Sequence, residues 1–324
     1  MPPPPAAFAD ALVLTGPTGS GKSAVALELA ERVGGEIVAM DSMTLYRGMD
    51  VGTAKPTAEE RARVRHHLID VLDPWESANV AWWLDRAAGA CADIRARGRR
   101  PLFVGGTPFY LKALLCGLFD APPADPELRR RLEAEAERVG PRALHDRLRA
   151  VDPTAADRLH PNDVRRVVRA LEVWELTGRP ISAFQQTWDT PAFAGRREEA
   201  PPLACAVLEW PRDELYRRID ARVDAMIEAG WLDEVRRLRE RPLSKEAVQA
   251  LGYRELMRYL DGMCGWAETI AHIKTRTRQF AKRQLTWFRN LTGCWHCPVD
   301  GLNLVDRVLN YWQNVQSNYS PVQS

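Results

Sequence analysis

Apolar and polar positions along this chain switch between two periods. Ala11 to Thr15 is a short apolar run, a glycine-rich turn follows at once, and Ala26, Leu29, Ala30 and Val33 then recur at helical spacing. A second short run, Glu36 to Met40, ends at Asp41. Val80, Leu84, Ala87, Cys91 and Ile94 form the next helical stripe, Gly98 stops it, and Pro101 to Val104 reads as another strand. Strand, helix, strand in this rhythm predicts a parallel sheet with helices on its faces.

After Asp120 the pattern changes. A loop marked by Pro122, Pro123 and Pro126 leads into charged, amphipathic sequence lasting to about Gly178 with no strand signal, which reads as a helical insertion. Leu203 to Glu209 looks like a returning strand, helices follow to about Gly293, and signals beyond Pro298 are weak. The expected fold is α/β, a P-loop-type parallel sheet flanked by helices with an all-helical insertion domain. The expected boundaries are 1–121 for the first part of the core, 122–184 for the insertion, 185–297 for the second part and 298–324 for a tail.

Gly16 to Ser23, GPTGSGKS, fully matches the P-loop pattern and sits between a predicted strand and a predicted helix, as its mechanism requires. Gly16, Pro17, Thr18, Gly19, Ser20 and Gly21 would wrap backbone N–H groups around phosphate oxygens at the helix N-terminus, Lys22 adds a point charge, and Ser23 can hold a magnesium ion. The loop alone does not say whether the phosphate belongs to a nucleoside triphosphate. In P-loop NTPases a later strand supplies an acid for the metal, but here the strand runs into Gly105, Gly106 and Thr107. The glycines permit close approach of a ligand and Thr107 offers a hydroxyl; neither supplies a carboxylate. Asp70 and Asp73 could substitute, so an ATPase is disfavoured rather than excluded.

Asp41 and Ser42 fall where the second strand ends, on the same edge as the P-loop, in the crevice where open parallel sheets bind ligands. Asp41 is a candidate general base toward an amine or hydroxyl, or else a turn aspartate. His272 to Gly293 carries Lys274, Arg276, Arg278, Lys282, Arg283 and Arg289 with no acidic residue, interleaved with Phe280, Trp287 and Phe288. Phosphate contacts mixed with stacking surfaces suit RNA; a solvated basic face over core aromatics is the alternative. In the insertion, Val164, Val167, Val168, Leu171 and Trp174 make an apolar stripe, with Arg165, Arg166 and Arg169 elsewhere on the helix. Leu215, Ile219, Val223 and Met226 make another, beside Arg218 and Arg222. These arginines could meet a nucleic-acid backbone or pair with nearby acids.

Composition narrows the function classes. At 324 residues, 45% hydrophobic and 27% charged, the chain can bury a full core, while a formal net charge of +2 means that affinity for a polyanion must come from local clustering. Of 45 basic residues only six are lysine, which supplies phosphate-matching guanidinium forks but equally reflects a GC-rich coding bias. No run approaches the roughly 18 apolar residues of a membrane span, and Met1 to Ala7 lacks a signal-peptide layout, so a cytoplasmic protein is expected. Cys91, Cys116, Cys205 and Cys264 stand singly and read as reduced core residues. Cys294 and Cys297 flank His296 without the second ligand pair that a zinc site requires.

Several blocks, in this order, resemble one family, the tRNA dimethylallyltransferases, also called tRNA isopentenyltransferases. They are GPTGSGKS, DSMTLYRGMDVGTAKPT from Asp41, HHLIDVLDP from His66, LFVGGTPFYLKALLCGL from Leu102, NDVRRVVRALEVWELTGR from Asn162, LGYRE from Leu251 and TRTRQFAKRQLTWFR ending at Arg289. The resemblance covers most of the chain. It implies transfer of a dimethylallyl group from dimethylallyl diphosphate to the N6 amine of the adenosine immediately 3′ of the anticodon in tRNA, with magnesium as cofactor and diphosphate released. It places the donor diphosphate on the P-loop and Arg222, makes Asp41 the base, and puts Thr107 and Lys22 at the reacting region. The anticodon stem-loop would meet Asp41, Ser42, Met43, Thr44 and Thr107, then Arg129, Arg165, Arg166, Val167, Val168 and Arg169, and Gln249, Gly252, Tyr253 and Arg254. The basic residues Arg276, Arg278, Lys282 and Arg283 would add phosphate contacts. Thr44 and Arg165 depart from the family pattern, where glutamine is usual at both. A monomer is expected. Three rivals remain at this point: a P-loop small-molecule kinase, a prenyltransferase acting on free adenine nucleotides, and a non-catalytic RNA-binding protein.

Overall fold

Six parallel strands, β1 (Leu12–Thr15), β2 (Gly35–Ala39), β3 (His66–His67), β4 (Arg100–Gly105), β5 (Ala204–Glu209) and β6 (Cys294–Pro298), form one sheet in the order β3-β2-β4-β1-β5-β6. The structure is a computed structural model and describes residues 5–185, 203–291, 293–301 and 303–317. These residues fall into two compact units. One is residues 118–185, and the other is 5–117 with the described residues from 203 onward.

In the sheet unit, β1 is central: Leu12 aligns with Leu102 on one side and Ala204 on the other. All four β1 residues are buried, as strands covered on both faces require. Successive residues of β4 alternate between the two layers. Leu102 and Val104 pack with Leu27, Leu29 and Ala30 of α1 (Lys22–Val33) and with Val308 and Trp312 of α14 (Leu304–Ser317). Phe103 faces the other way, edge-on to Phe8 and to Trp83 of α3 (Val80–Ala96), and Trp83 in turn stacks on Tyr110 of α4 (Pro108–Cys116) with centroids 4.5 Å apart. Trp83 Nε1 donates to Ala39 O at 3.1 Å, so the buried indole is satisfied. The short α2 (Ala58–Arg63) begins with a capping box between Thr57 and Glu60. After β5 come α10 (Arg212–Glu228), α11 (Trp231–Leu238), α12 (Tyr253–Leu260) and α13 (Trp266–Arg289).

Three elements depart from the sequence reading. Two-residue β3 has no periodic signal to detect. Cys294 to Pro298, weighed as a metal motif, is edge strand β6, with Cys294 in register with Cys205 and His296 Nδ1 2.9 Å from Glu209 Oε1. The stretch beyond Pro298 contains α14, whose Val308 and Trp312 complete the sheet's core. All six cysteines carry free thiols. No helix among the described residues is long and apolar enough to cross a membrane.

The helical unit consists of α5 (Pro126–Val139), α6 (Pro141–Val151), α7 (Pro153–Arg158), α8 (Val164–Thr177) and α9 (Ile181–Phe184) around Leu132, Leu144, Leu148, Val167, Val168 and Leu171. Glycine or aspartate caps with proline at the first turn start three of these helices. Fully buried Glu172 accepts from Asp125 N at 2.8 Å, from both arms of Arg129 at 2.9 Å and from Arg169 at 2.5 Å. A buried carboxylate with its lone pairs filled in this way joins α5 to α8.

Two glycines give opposite expectations. A Cβ at Gly105 would lie 2.0 Å from Met40 O, so Gly105→Ala has to part the ends of β2 and β4, and urea unfolding should show a loss of about 3 kcal/mol. A Cβ at Gly89, inside α3, meets nothing within 4 Å, so Gly89→Ala should stabilise by roughly 0.5–1 kcal/mol in the same assay.

Candidate functional site: a phosphate cradle beside a carboxylate

The loop from Gly16 to Gly21 turns between β1 and α1, and α1 opens at Lys22 with no side-chain cap, leaving its first N–H groups for an anion. Gly19 and Gly21 have φ near 80°, and a Cβ at Gly19 would come within 2.9 Å of Ile219, so this tight passage requires glycine. The loop's carbonyls are taken up from outside. Arg218 Nε donates to Gly19 O at 3.0 Å while its guanidinium lies 4.3 Å over the Trp210 ring, and Trp210 Nε1 donates to Ser20 O at 2.9 Å. Ser20 Oγ is buried with no hydrogen-bond partner, a polar atom that an anion in the cradle would satisfy.

Lys22 and Arg222 supply the charge. Arg222 Nη1 stands 3.5 Å from Thr18 Oγ1, and Lys22 Nζ 3.5 Å from Pro17 O. Both cations keep some solvent-exposed surface, but the protein crowds them closely. Burial first, and then repulsion from Arg222, pull Lys22 down to about 8, against the opposing pull of Asp41. Burial likewise lowers Arg222, again opposed by Asp41. Two partly desolvated cations beside one carboxylate form a site short of negative charge.

Asp41 and Thr107 occupy one ledge at the carboxyl end of β2 and β4. Asp41 Oδ1 accepts from Met43 N at 2.9 Å, which leaves Oδ2 for a substrate proton. Thr107 N donates to Met40 O at 3.3 Å, and Thr107 Oγ1 accepts from Ser42 N at 3.1 Å, so the threonine's own proton is available to a ligand. Thr44 is buried, with Oγ1 donating to Asp41 O at 3.3 Å; its side chain holds the turn rather than presenting a contact. Sequence reasoning missed the residue that joins ledge to cradle. Gln284 of α13 accepts from Thr18 N at 2.9 Å and donates to Gly106 O at 2.6 Å.

The remaining candidates divide by burial. On α13, Lys282 and Arg283 are exposed and Arg276 is half-buried, while Arg278 and Lys274 pair with Asp220 and Asp224 of α10, tying the two helices together. Gln249 and Arg254 are exposed. Gly252 and Tyr253 are buried against Trp231, and the Tyr253 hydroxyl donates to Glu234 at 2.6 Å. Glu234 also accepts from the backbone N–H groups of Asp50, Val51 and Gly52, fixing the loop that follows the Asp41 turn. In the helical unit Arg165 and Arg166 are exposed, the latter paired with Asp163. Val167 and Val168 lie in that unit's core, so their side chains offer no RNA surface, and Arg129 and Arg169 are held by Glu172.

A parallel P-loop sheet, a cationic phosphate cradle and a carboxylate at the end of β2, one strand removed from the P-loop strand, define an enzyme of the P-loop α/β class that handles a phosphate-bearing substrate. The chain belongs to the IPP transferase family: the model for IPP transferase matches residues 44–291 and that for isopentenyl transferase residues 9–71. It is 53% identical over 280 residues to a tRNA dimethylallyltransferase of Symbiobacterium thermophilum, covering 86% of each chain, and 51% identical to that of Geobacter metallireducens, covering 86% and 89%. Among solved structures, the tRNA isopentenylpyrophosphate transferase of Bacillus halodurans aligns over 95% of this chain and 96% of its own at 40% identity, with a TM-score of 0.68. A eukaryotic dimethylallyltransferase acting on tRNA aligns over 97% and 81% at 28% identity, with a TM-score of 0.74.

The Lys22 shift gives a pH signature. The ammonium is present below its value of about 8 and lost above it. An organic diphosphate ester, whose last ionisation lies at about 6, keeps its charge throughout that range. Its affinity, measured by equilibrium titration from pH 7 to 9.5, should therefore fall progressively above pH 8; a flat profile would contradict this origin of the grip.

Proposed function

We propose that this enzyme transfers a dimethylallyl group from dimethylallyl diphosphate to the N6 amine of the adenosine immediately 3′ of the anticodon in tRNA, releasing diphosphate. The observation that carries the reading is the placement of Lys22 and Arg222 at the P-loop beside Asp41, whose carboxylate offsets part of the lowering that burial imposes on both cations. The names of the relatives support it, and so do the exposed basic residues of α13 and α8.

In this reaction the bond between the allylic carbon and the diphosphate oxygen breaks, and its electron pair leaves on the diphosphate. The N6 lone pair forms the new carbon–nitrogen bond, and the displaced N6 proton passes to Asp41. An adenine amine is a weak nucleophile, so stabilising the departing charge is the larger task; Lys22, Arg222 and the P-loop N–H groups do this in place. Thr107 Oγ1 lies beside Asp41 through Ser42 and orients the reacting region. An adenine stacked in an anticodon loop cannot reach this ledge, so the base leaves its stack to enter the crevice.

Magnesium fits the cradle in one particular way. Ser23 is exposed at the start of α1, and no group of three or more His, Cys, Asp or Glu side chains able to hold a metal lies among the described residues. The ion would thus take one protein hydroxyl and draw its other ligands from the diphosphate and water, adding charge neutralisation to the leaving group.

The decisive measurement is mass spectrometry of nucleosides from tRNA incubated with the protein and dimethylallyl diphosphate. N6-dimethylallyl-adenosine beside the anticodon is expected; a phosphorylated product formed from ATP, or equal activity on AMP, would replace this reading with another. Asp41→Ala should lower single-turnover transfer by about 10²–10⁴-fold with tRNA affinity retained. Arg166→Ala should weaken tRNA binding several-fold and reduce the slope of log affinity against log salt by about 1, with the single-turnover rate at saturating tRNA unchanged.

A further inference from the structure

Gln284 is a polar side chain at a core position. It lies on the same stripe of α13 as Ala281, Leu285 and Phe288 and is 3% exposed. Both ends of its amide are used, each by the backbone of a different loop: Oε1 accepts from Thr18 N in the P-loop, and Nε2 donates to Gly106 O in the turn before Thr107. Because Thr18 N can only donate and Gly106 O can only accept, one amide orientation satisfies the pair. Gly106 is fitted around this bridge. A Cβ there would come within 2.8 Å of Gln284 Nε2, 3.1 Å of Gly16 O and 3.5 Å of Lys22 Nζ.

The geometry points to Gln284 as a positioning residue that sets the spacing between the diphosphate cradle and the Asp41–Thr107 ledge, and that fastens both to the basic helix carrying Arg276, Lys282 and Arg283. Thr18 also meets Arg222, so the bridged loop is the one that the second cation contacts. The ledge is reached through Gly106 and its neighbour Thr107, whose hydroxyl takes the Ser42 N–H. One amide thus fixes where the leaving group sits relative to the base, and a displacement of about 1 Å between reacting groups is enough to cost roughly a hundredfold in rate. This inference rests on the transferase reading for its kinetic consequence but not for its binding consequence.

Two variants test it in the full-length protein. Gln284→Leu keeps the volume and loses both hydrogen bonds; calorimetry with inorganic diphosphate should show affinity at least tenfold weaker than wild type, and kcat for prenyl transfer should fall further than tRNA affinity does. Gln284→Glu adds a pH readout. A carboxylate can accept from Thr18 N but cannot donate to Gly106 O, whereas the protonated acid has one donor and one acceptor, like the amide. The ratio of variant to wild-type diphosphate affinity should therefore recover as pH is lowered from 7 to 5, a range below the value of about 8 at which wild-type Lys22 loses its charge. Diphosphate affinity within twofold of wild type in the Leu variant, or a Glu variant whose ratio is constant with pH, would overturn the assignment. If the Leu variant does not fold, the Glu ratio decides alone. Absence of prenyl transfer by wild type with diphosphate binding intact would sink the proposed function and leave the binding test standing.

Discussion

Two positive charges held together beside a single carboxylate are the constraint around which the site is organised. Lys22 and Arg222 are both disfavoured by the protein that surrounds them, and Lys22 also by its neighbour, with Asp41 offsetting part of the strain. Such a pair persists only if the surrounding structure over-determines it. Arg218 and Trp210 take the carbonyls of Gly19 and Ser20, and Gln284 takes the Thr18 N–H, so the loop is fixed from three sides before any ligand arrives. Preorganised dipoles of this kind need no rearrangement when charge develops on a leaving group, which is why they lower a barrier rather than only tighten binding.

The rest of the sheet unit follows from that need. β1, β2 and β4 are adjacent, so the turns that leave them form one edge; Gly105 lets the Met40 carbonyl approach, and Thr107 can then reach the Ser42 N–H. Helix α13 closes the arrangement by anchoring to α10 through Arg278 with Asp220 and Lys274 with Asp224. Those two cations hold protein to protein, while Lys282 and Arg283 are exposed and Arg276 is half-buried, the residues on which the proposed RNA contact of this helix rests. The helical unit divides its charges in the same manner: Arg129 and Arg169 serve buried Glu172, and Arg165 and Arg166 face solvent. In both units the cations paired to an acid on a neighbouring helix serve the fold.

Much of this was legible in the sequence, and the remainder was not for identifiable reasons. The P-loop shows as a motif, and the strands at Leu12, Gly35, Arg100 and Ala204 and the helices of the strandless insertion show in the apolar pattern, because their apolar positions persist over a full element. Two-residue β3 and edge strand β6 show nothing: a bridge that short has no period, and Cys-Trp-His-Cys-Pro is only partly buried. Which arginines are free depends on partners distant in sequence, 43 residues away for Arg129 and 58 for Arg278. Gln284 did leave a trace. It breaks the apolar stripe of Ala281, Leu285 and Phe288, and a polar residue at a core-facing position signals a backbone partner that a single sequence cannot name.

The balance of charges also bears on which bond breaks. In phosphoryl transfer the electrophile is the terminal phosphorus, and the cradle's cations must follow charge spread over its equatorial oxygens while a metal is held by a protein carboxylate. Here the strand that would bring that carboxylate ends in Gly105 and Gly106, and the nearby acid, Asp41, is committed to a turn with one oxygen outward. A carboxylate so close to the cradle would repel an incoming anion unless it faced a centre becoming positive. In the proposed reaction the adenine nitrogen becomes positive and acidic as it gains a carbon, so Asp41 would take its proton late, after the diphosphate has begun to leave. The same electrostatics that make this site awkward for a kinase suit it to the proposed alkyl transfer, in which the anion would depart into Lys22 and Arg222 and the cation would form against Asp41.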